Sequence, residues 1–149
     1  METLARDQAR TAWGPRSGPR LVVPVRELDR ASLRAIAYAR SISAHFTVLA
    51  LGDDLSAMRL RGRARSLGIT EYAEIVTIAA EPSDHSRGIA AFVNELGAED
   101  PARTIAVVLG DAVPRHAWLY PLHDPFPLRL KLELLTRPNT VVIDVPYHV

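Results

Sequence analysis

The residues able to do chemistry in this chain are few, and their spacing assembles no familiar reactive centre. His116 and His123 lie near Asp111 and Asp124 in one connection, but seven positions separate the histidines and Pro121 intervenes, which matches no recognised ligand spacing. Loop hydrogen bonding or capping is the simpler role for them. Ser83, Asp84 and His85 formally supply a nucleophile, an acid and a base. No G-x-S-x-G elbow precedes a helix there, however, and capping of the following helix explains Ser83 or Asp84 without invoking catalysis. The chain contains no cysteine, which removes disulfides, thiolate metal sites and thiol nucleophiles. We therefore assign no catalytic residue, no metal and no cofactor, and expect a binding or regulatory module instead of an enzyme. The remaining groups of interest are Arg26 and Arg115, each placed just after an apolar run, where two cations brought together would receive a phosphate or carboxylate.

Five apolar runs alternate with helical patterns and must position these groups. Leu21 to Val25 is a short run suited to a strand buried on both faces, and Asp29 caps a helix through about Ser41. Pro24 donates no backbone hydrogen bond, so it is expected at the strand's final outward turn. His45 to Leu51 forms the second strand; Asp53 or Asp54 then caps a helix to Leu67, which Gly68 closes. Tyr72 to Ile78 is the third strand, followed by a helix carrying Ile89, Phe92, Val93 and Leu96 and ended by Gly97. Thr104 to Gly110 and Thr140 to Val149 supply the last two strands.

Residues Leu128 to Leu135 pose a conflict, because leucines alternate with charges as in a half-buried strand. Helix propensity decides: none of the eight is β-branched, Pro127 suits a first turn and Pro138 ends the pattern. On that helix Leu128, Leu132 and Leu135 form one stripe while Leu130 and Leu134 form another, so one stripe is expected to face the sheet and the other a partner.

The alternation predicts one α/β domain: an open, mostly parallel five-stranded sheet of order 3-2-1-4-5, helices on both faces, over residues 20–149, with 1–19 as a flexible leader. Ligands in such sheets bind beyond the carboxyl ends of the strands where the order reverses. That crevice would be built from Arg26, Glu27 and Asp29 after the first strand and Gly110, Asp111, Arg115 and His116 after the fourth, with an anionic small molecule as its expected occupant.

Composition agrees with a globular domain. Of 149 residues, 48% are hydrophobic and 23% charged, and no apolar run approaches the ~20 residues needed to cross a bilayer. The opening METLARDQAR lacks the apolar core of a signal peptide, so a cytoplasmic setting is expected. Basic residues concentrate before position 70 and acids after it. Arg59, Arg61, Arg63 and Arg65 are spaced by two, which on a helix scatters them over two faces, and no aromatic residue interleaves them. They read as solvated surface, and no nucleic acid is expected. The stretch VPRHAWLYPLHDPFP, with Trp118 and Tyr120 among four prolines, is either a recognition loop or a rigid lid. Asp144 in the final strand would face solvent at a sheet edge.

The strand order, size and LVVPV opening resemble the universal stress protein fold. That family's nucleotide-binding branch carries an acid after the first strand and a Gly-x2-Gly-x9-Gly-Ser/Thr pattern after the fourth. Here Arg26 takes the acid's place, and the pattern counted from Gly110 meets Val113, His123 and Asp124, so ATP binding is not expected. A narrower resemblance covers Leu21 to Val149. The segments at Val23 to Val25, Arg30 to Ser43, Val113 to Trp118, Leu128 to Pro138 and Asp144 to Val149 look like the cytoplasmic C-terminal domain of bacterial amino acid permeases of the amino acid-polyamine-organocation superfamily. This resemblance implies a regulatory accessory domain on the cytoplasmic side of a membrane transporter, here as an excised domain or a free-standing relative. A nucleotide or cyclic-dinucleotide sensor and a small α/β hydrolase or transferase are the alternatives that the fold class leaves open. The apolar last strand also predicts a homodimer, joined through Val141, Ile143 and Val145 with Leu130 and Leu134 in the same interface.

Overall fold

The computed structural model describes residues 18–113 and 126–148. In chain order the main elements are β1 (Arg20–Val25), α1 (Arg30–Ile42), β2 (Phe46–Leu51), α2 (Asp54–Ser66), β3 (Ala73–Ile78), α3 (His85–Glu99), β4 (Ile105–Val113), α4 (Phe126–Leu134) and β5 (Thr140–His148). All four strand pairings are parallel and the order is β3-β2-β1-β4-β5, as the alternation predicts. Side chains alternate across the sheet. Leu21, Val23, Val25, Val48, Ala106 and Val108 pack with α1 and α2, whereas Val22, Leu49, Leu51, Val107 and Leu109 pack with α3 and α4. Burial on both faces is why residues 21–25, 48–51 and 105–109 are unbroken apolar runs.

Local signals work as the residue types dictate. The Asp29 carboxylate accepts the Ser32 N–H at 2.8 Å and Asp53 accepts that of Ser56 at 2.8 Å, so each satisfies an orphan donor at a helix start. Gly68 ends α2 with φ +75°, a left-handed conformation natural to glycine. Asp84 departs from expectation. A 3-10 turn over Pro82–Asp84 leads into α3, and Asp84 makes no side-chain cap bond; its φ of −108° and ψ of 5° lie outside the extended conformation in which a capping carboxylate reaches forward. It pairs instead with Arg87 at 3.8 Å. Gly97 does not end α3, which continues to Glu99.

Two strands differ from their expected form in ways that shape the crevice. Pro24 is buried within β1, in register with Leu49, instead of turning outward. The ladder between β1 and β4 ends at Val22 and Val107, two residues earlier, so the missing proline N–H breaks no rung on that side. β4 does not stop at Gly110; it runs on to Val113, paired with β5 as far as His148.

The leucine-rich segment is a helix, and its orientation corrects the expected interface. Leu130 and Leu134 are 0% and 2% exposed in the core beneath α4, so they form no surface stripe; Leu128, Leu132 and Leu135 point outward. Val145 is likewise buried, in the layer under α1. Ile143 is partly buried against the same cluster, while Val141 is exposed. Asp144 is exposed as expected and pairs with Lys131, the chain's single lysine, which ties α4 to the edge strand.

Candidate functional site

Because β1 and β4 part company after Val22, a crevice of about 460 Å³ opens at the carboxyl end of the sheet where the strand order reverses. Its lining includes Pro24, Arg26, Glu27, Asp29, Ala31, Ser32, Leu109, Gly110, Asp111, Phe126 and Pro127. Five of the sequence-derived site residues, Arg26, Glu27, Asp29, Gly110 and Asp111, therefore come together here. Gly110 and Asp111 reach it from the extended β4 strand and not from a loop. Arg115 and His116, together with Trp118, Tyr120, His123 and Asp124, lie outside the described residues.

Each wall has a local cause. The first turn of α1 closes one side, and it comes so near β4 that a Cβ added to Gly110 would lie 2.2 Å from the Ala31 carbonyl oxygen. Glycine is needed there for the approach of the helix backbone. β4 runs straight past Gly110, so the phosphate-holding turn of the resembled nucleotide-binding pattern does not begin at this residue.

Arg26 is the central charge. Its guanidinium lies over the Phe126 ring, 4.5 Å from the centroid, a cation–π geometry. Burial pushes its pKa below the ordinary arginine value, opposed by the negative charges of Asp29 and Glu27; the side chain stays protonated at any physiological pH. The wall is thus of mixed sign, with Glu27, Asp29 and Asp111 around one arginine.

Arg26 also borders a second hollow of about 770 Å³ that no local pattern announces, lined by Gly52, Asp53, Ser56, Ala80, Glu81 and His85 among others. The ring of His85 meets Phe126 edge-on at 6.2 Å. His85, Phe126 and Arg26 thus meet where the two hollows adjoin, Phe126 lining the first, His85 the second and Arg26 both. The His85 Nε2 lies 3.2 Å from the Ala80 carbonyl oxygen, and its Nδ1 is buried with no partner among the described residues. Burial lowers its pKa, and the nearby Arg26 charge lowers it further, against the Ala80 carbonyl and Glu81, so the ring is neutral at pH 7. The sequence marks His85 only as part of a formal Ser-His-Asp set; its contact with Phe126 is not legible there, because it depends on where two distant helices begin.

A five-stranded parallel sheet of order 3-2-1-4-5 with a polar crevice at its switch point places the chain among doubly wound α/β domains. No group of three or more metal-ligating side chains occurs among the described residues, and no described helix is long and apolar enough to cross a membrane. The chain belongs to the KimA potassium transporter C-terminal domain family, whose model matches residues 16–147. It is thus a transporter C-terminal domain, as the segment resemblance implied; the family description specifies potassium where the resemblance implied amino acids. No curated protein matches the chain.

Proposed function

We propose that this chain is a non-catalytic regulatory domain on the cytoplasmic side of a transporter that moves potassium, and that a nucleotide-type ligand in the β1/β4 crevice sets its state. Membership in a family of transporter C-terminal domains supports the accessory role and the choice of potassium over amino acids. The observation that carries the ligand reading is Arg26, which lines a 460 Å³ crevice together with the first turn of α1. A phosphate there meets one guanidinium and a helix N-terminus. The acids argue against a simple inorganic anion, since three carboxylates surround one cation. A ligand that combines phosphate with hydroxyl or amine donors suits this lining better, because its donors have Glu27 and Asp111 to bond. Nucleotides and cyclic dinucleotides have that character. The absence of the glycine pattern favours the latter over ATP.

The test is calorimetric titration of nucleotides and cyclic dinucleotides into wild type and Arg26→Ala. We expect a cyclic dinucleotide to bind, Arg26→Ala to weaken it at least tenfold, and ATP to bind poorly without turnover. A binder indifferent to Arg26→Ala, or tight ATP binding, refutes this assignment. We further propose that two copies associate along the exposed edge of β5, which presents unpaired backbone groups and Val141.

A further inference from the structure

The arginine run of α2 falls on two faces of the helix, as its spacing by two predicts, and the two faces flank an apolar strip. Ala57, Leu60 and Ala64 are the buried face of this helix. At 3.6 residues per turn, Leu55, Met58 and Gly62 then fall in one strip on the opposite, outward face. Leu55 is 57% and Met58 70% exposed, and a Cβ at Gly62 would meet nothing within 4 Å. Arg59 and Arg63 run along one side of the strip and Arg61 and Arg65 along the other, each pair at i, i+4. No acid occurs from Leu55 to Thr70.

Only part of this charge is engaged within the domain. Arg61 donates to the Thr77 hydroxyl at 3.0 and 3.3 Å, and the Asp53 carboxyl, held below its usual range chiefly by hydrogen bonds from Ser56, gains a smaller contribution from the Arg59 charge. The side chains of Arg63 and Arg65 make no ion pair or hydrogen bond among the described residues. The helix dipole favours cations in the last turn, but it does not account for two cationic rows framing an exposed leucine–methionine strip. An apolar strip between rows of long cationic side chains suits the boundary between lipid headgroups and acyl chains, where arginine stems lie along apolar surface and their heads meet phosphate. A protein partner of ordinary composition has no need of four guanidinium groups, and single-stranded nucleic acid would want aromatic platforms that this face lacks. A C-terminal domain of a membrane transporter also works beside such a surface.

We infer that the outward face of α2, centred on Leu55 and Met58 and framed by Arg59, Arg61, Arg63 and Arg65, docks on the anionic surface of a phospholipid membrane. The contact is independent of the crevice. Each arginine near an anionic leaflet contributes about fivefold to partitioning, and salt screens the attraction.

Sedimentation of the chain with vesicles tests this. We expect binding to vesicles of equal parts phosphatidylcholine and phosphatidylglycerol, none to phosphatidylcholine alone, and release at roughly 0.5 M salt. The double variant Arg63→Gln/Arg65→Gln should lose about twenty-five-fold in partitioning, and Met58→Asp should also weaken it. Arg87→Gln/Arg129→Gln, which removes the same charge from the opposite layer, should bind as wild type does. Circular dichroism checks that all variants fold. Failure to bind the anionic vesicles, equal binding to neutral ones, equal loss in the control variant, or preference for a double-stranded DNA oligonucleotide over the vesicles would each overturn the inference.

Discussion

Replacing Gly110 by alanine tests the geometry that creates the crevice. The added Cβ would lie 2.2 Å from the Ala31 carbonyl oxygen, 2.5 Å from its carbon and 3.0 Å from the Ser32 nitrogen. Real Cβ atoms essentially never come under 3.0 Å, so β4 and the first turn of α1 must separate by about 1 Å in a close-packed layer. Neither side can yield by changing a rotamer, since all the atoms concerned belong to backbone. Overpacking a core ordinarily costs about 1–3 kcal/mol, and with no flexible side chain to absorb it we take the upper end, about 3 kcal/mol. At roughly 2–4 °C per kcal/mol for a domain of this size, the Tm should fall by about 6–12 °C. Gly62→Ala is the matched control. It lies inside α2 with open space around it, so the same substitution should stabilise by about 0.5–1 kcal/mol and raise the Tm by a few degrees. Thermal unfolding followed by circular dichroism reads both. A Gly110→Ala protein as stable as wild type would overturn the close approach of α1 to β4, and a loss of stability in Gly62→Ala would overturn the open surroundings of that position on α2.

Three further outcomes follow from the packing. Leu134→Ala should cost about 2–5 kcal/mol through the cavity it leaves, whereas Leu132→Ala should stay within about 0.5 kcal/mol; urea unfolding that shows equal losses would mean that α4 is rotated. Light scattering should report a dimer that Val141→Lys dissociates with the monomer still folded; a monomer in the wild type at high micromolar concentration would remove the β5-edge proposal. His85 sets an acid-side limit. Its folded-state pKa lies below the ordinary value of about 6.5, so both states are neutral above that pH and the contribution to stability is fully present. Below it the unfolded chain takes up the proton first, and stability falls as pH drops toward the folded value. Urea midpoints measured from about pH 7.5 to 5.5 should decline in wild type and decline less in His85→Phe; parallel curves would assign the change to other groups.

What the amino-acid sequence determines by itself is what depends on near neighbours. A carboxylate on extended backbone three residues before a helical N–H accepts it, so Asp29 and Asp53 mark the starts of α1 and α2, and Gly68 marks an end because few other residues take its backbone angles; Asp84, whose backbone is not extended, makes no such cap. Apolar runs without alternation report strands covered on both faces, and their regular exchange with helices yields the sheet and its switch point. Arg26, Glu27, Asp29, Gly110 and Asp111 meet at one crevice for that reason alone. Tertiary structure decided the rest. Two leucine stripes of equal character lie on α4, and only the position of α3 and the sheet puts Leu130 and Leu134 inside. Pro24 is tolerated within β1 because β4 has already diverged, and β4 continues past Gly110 because β5 is present to pair with it. The cluster of His85, Phe126 and Arg26 joins the first residues of α3 and α4 to the bend after β1, far apart in the chain. No local pattern encodes such a contact, since its energy arises only when the layers that carry those residues close on one another.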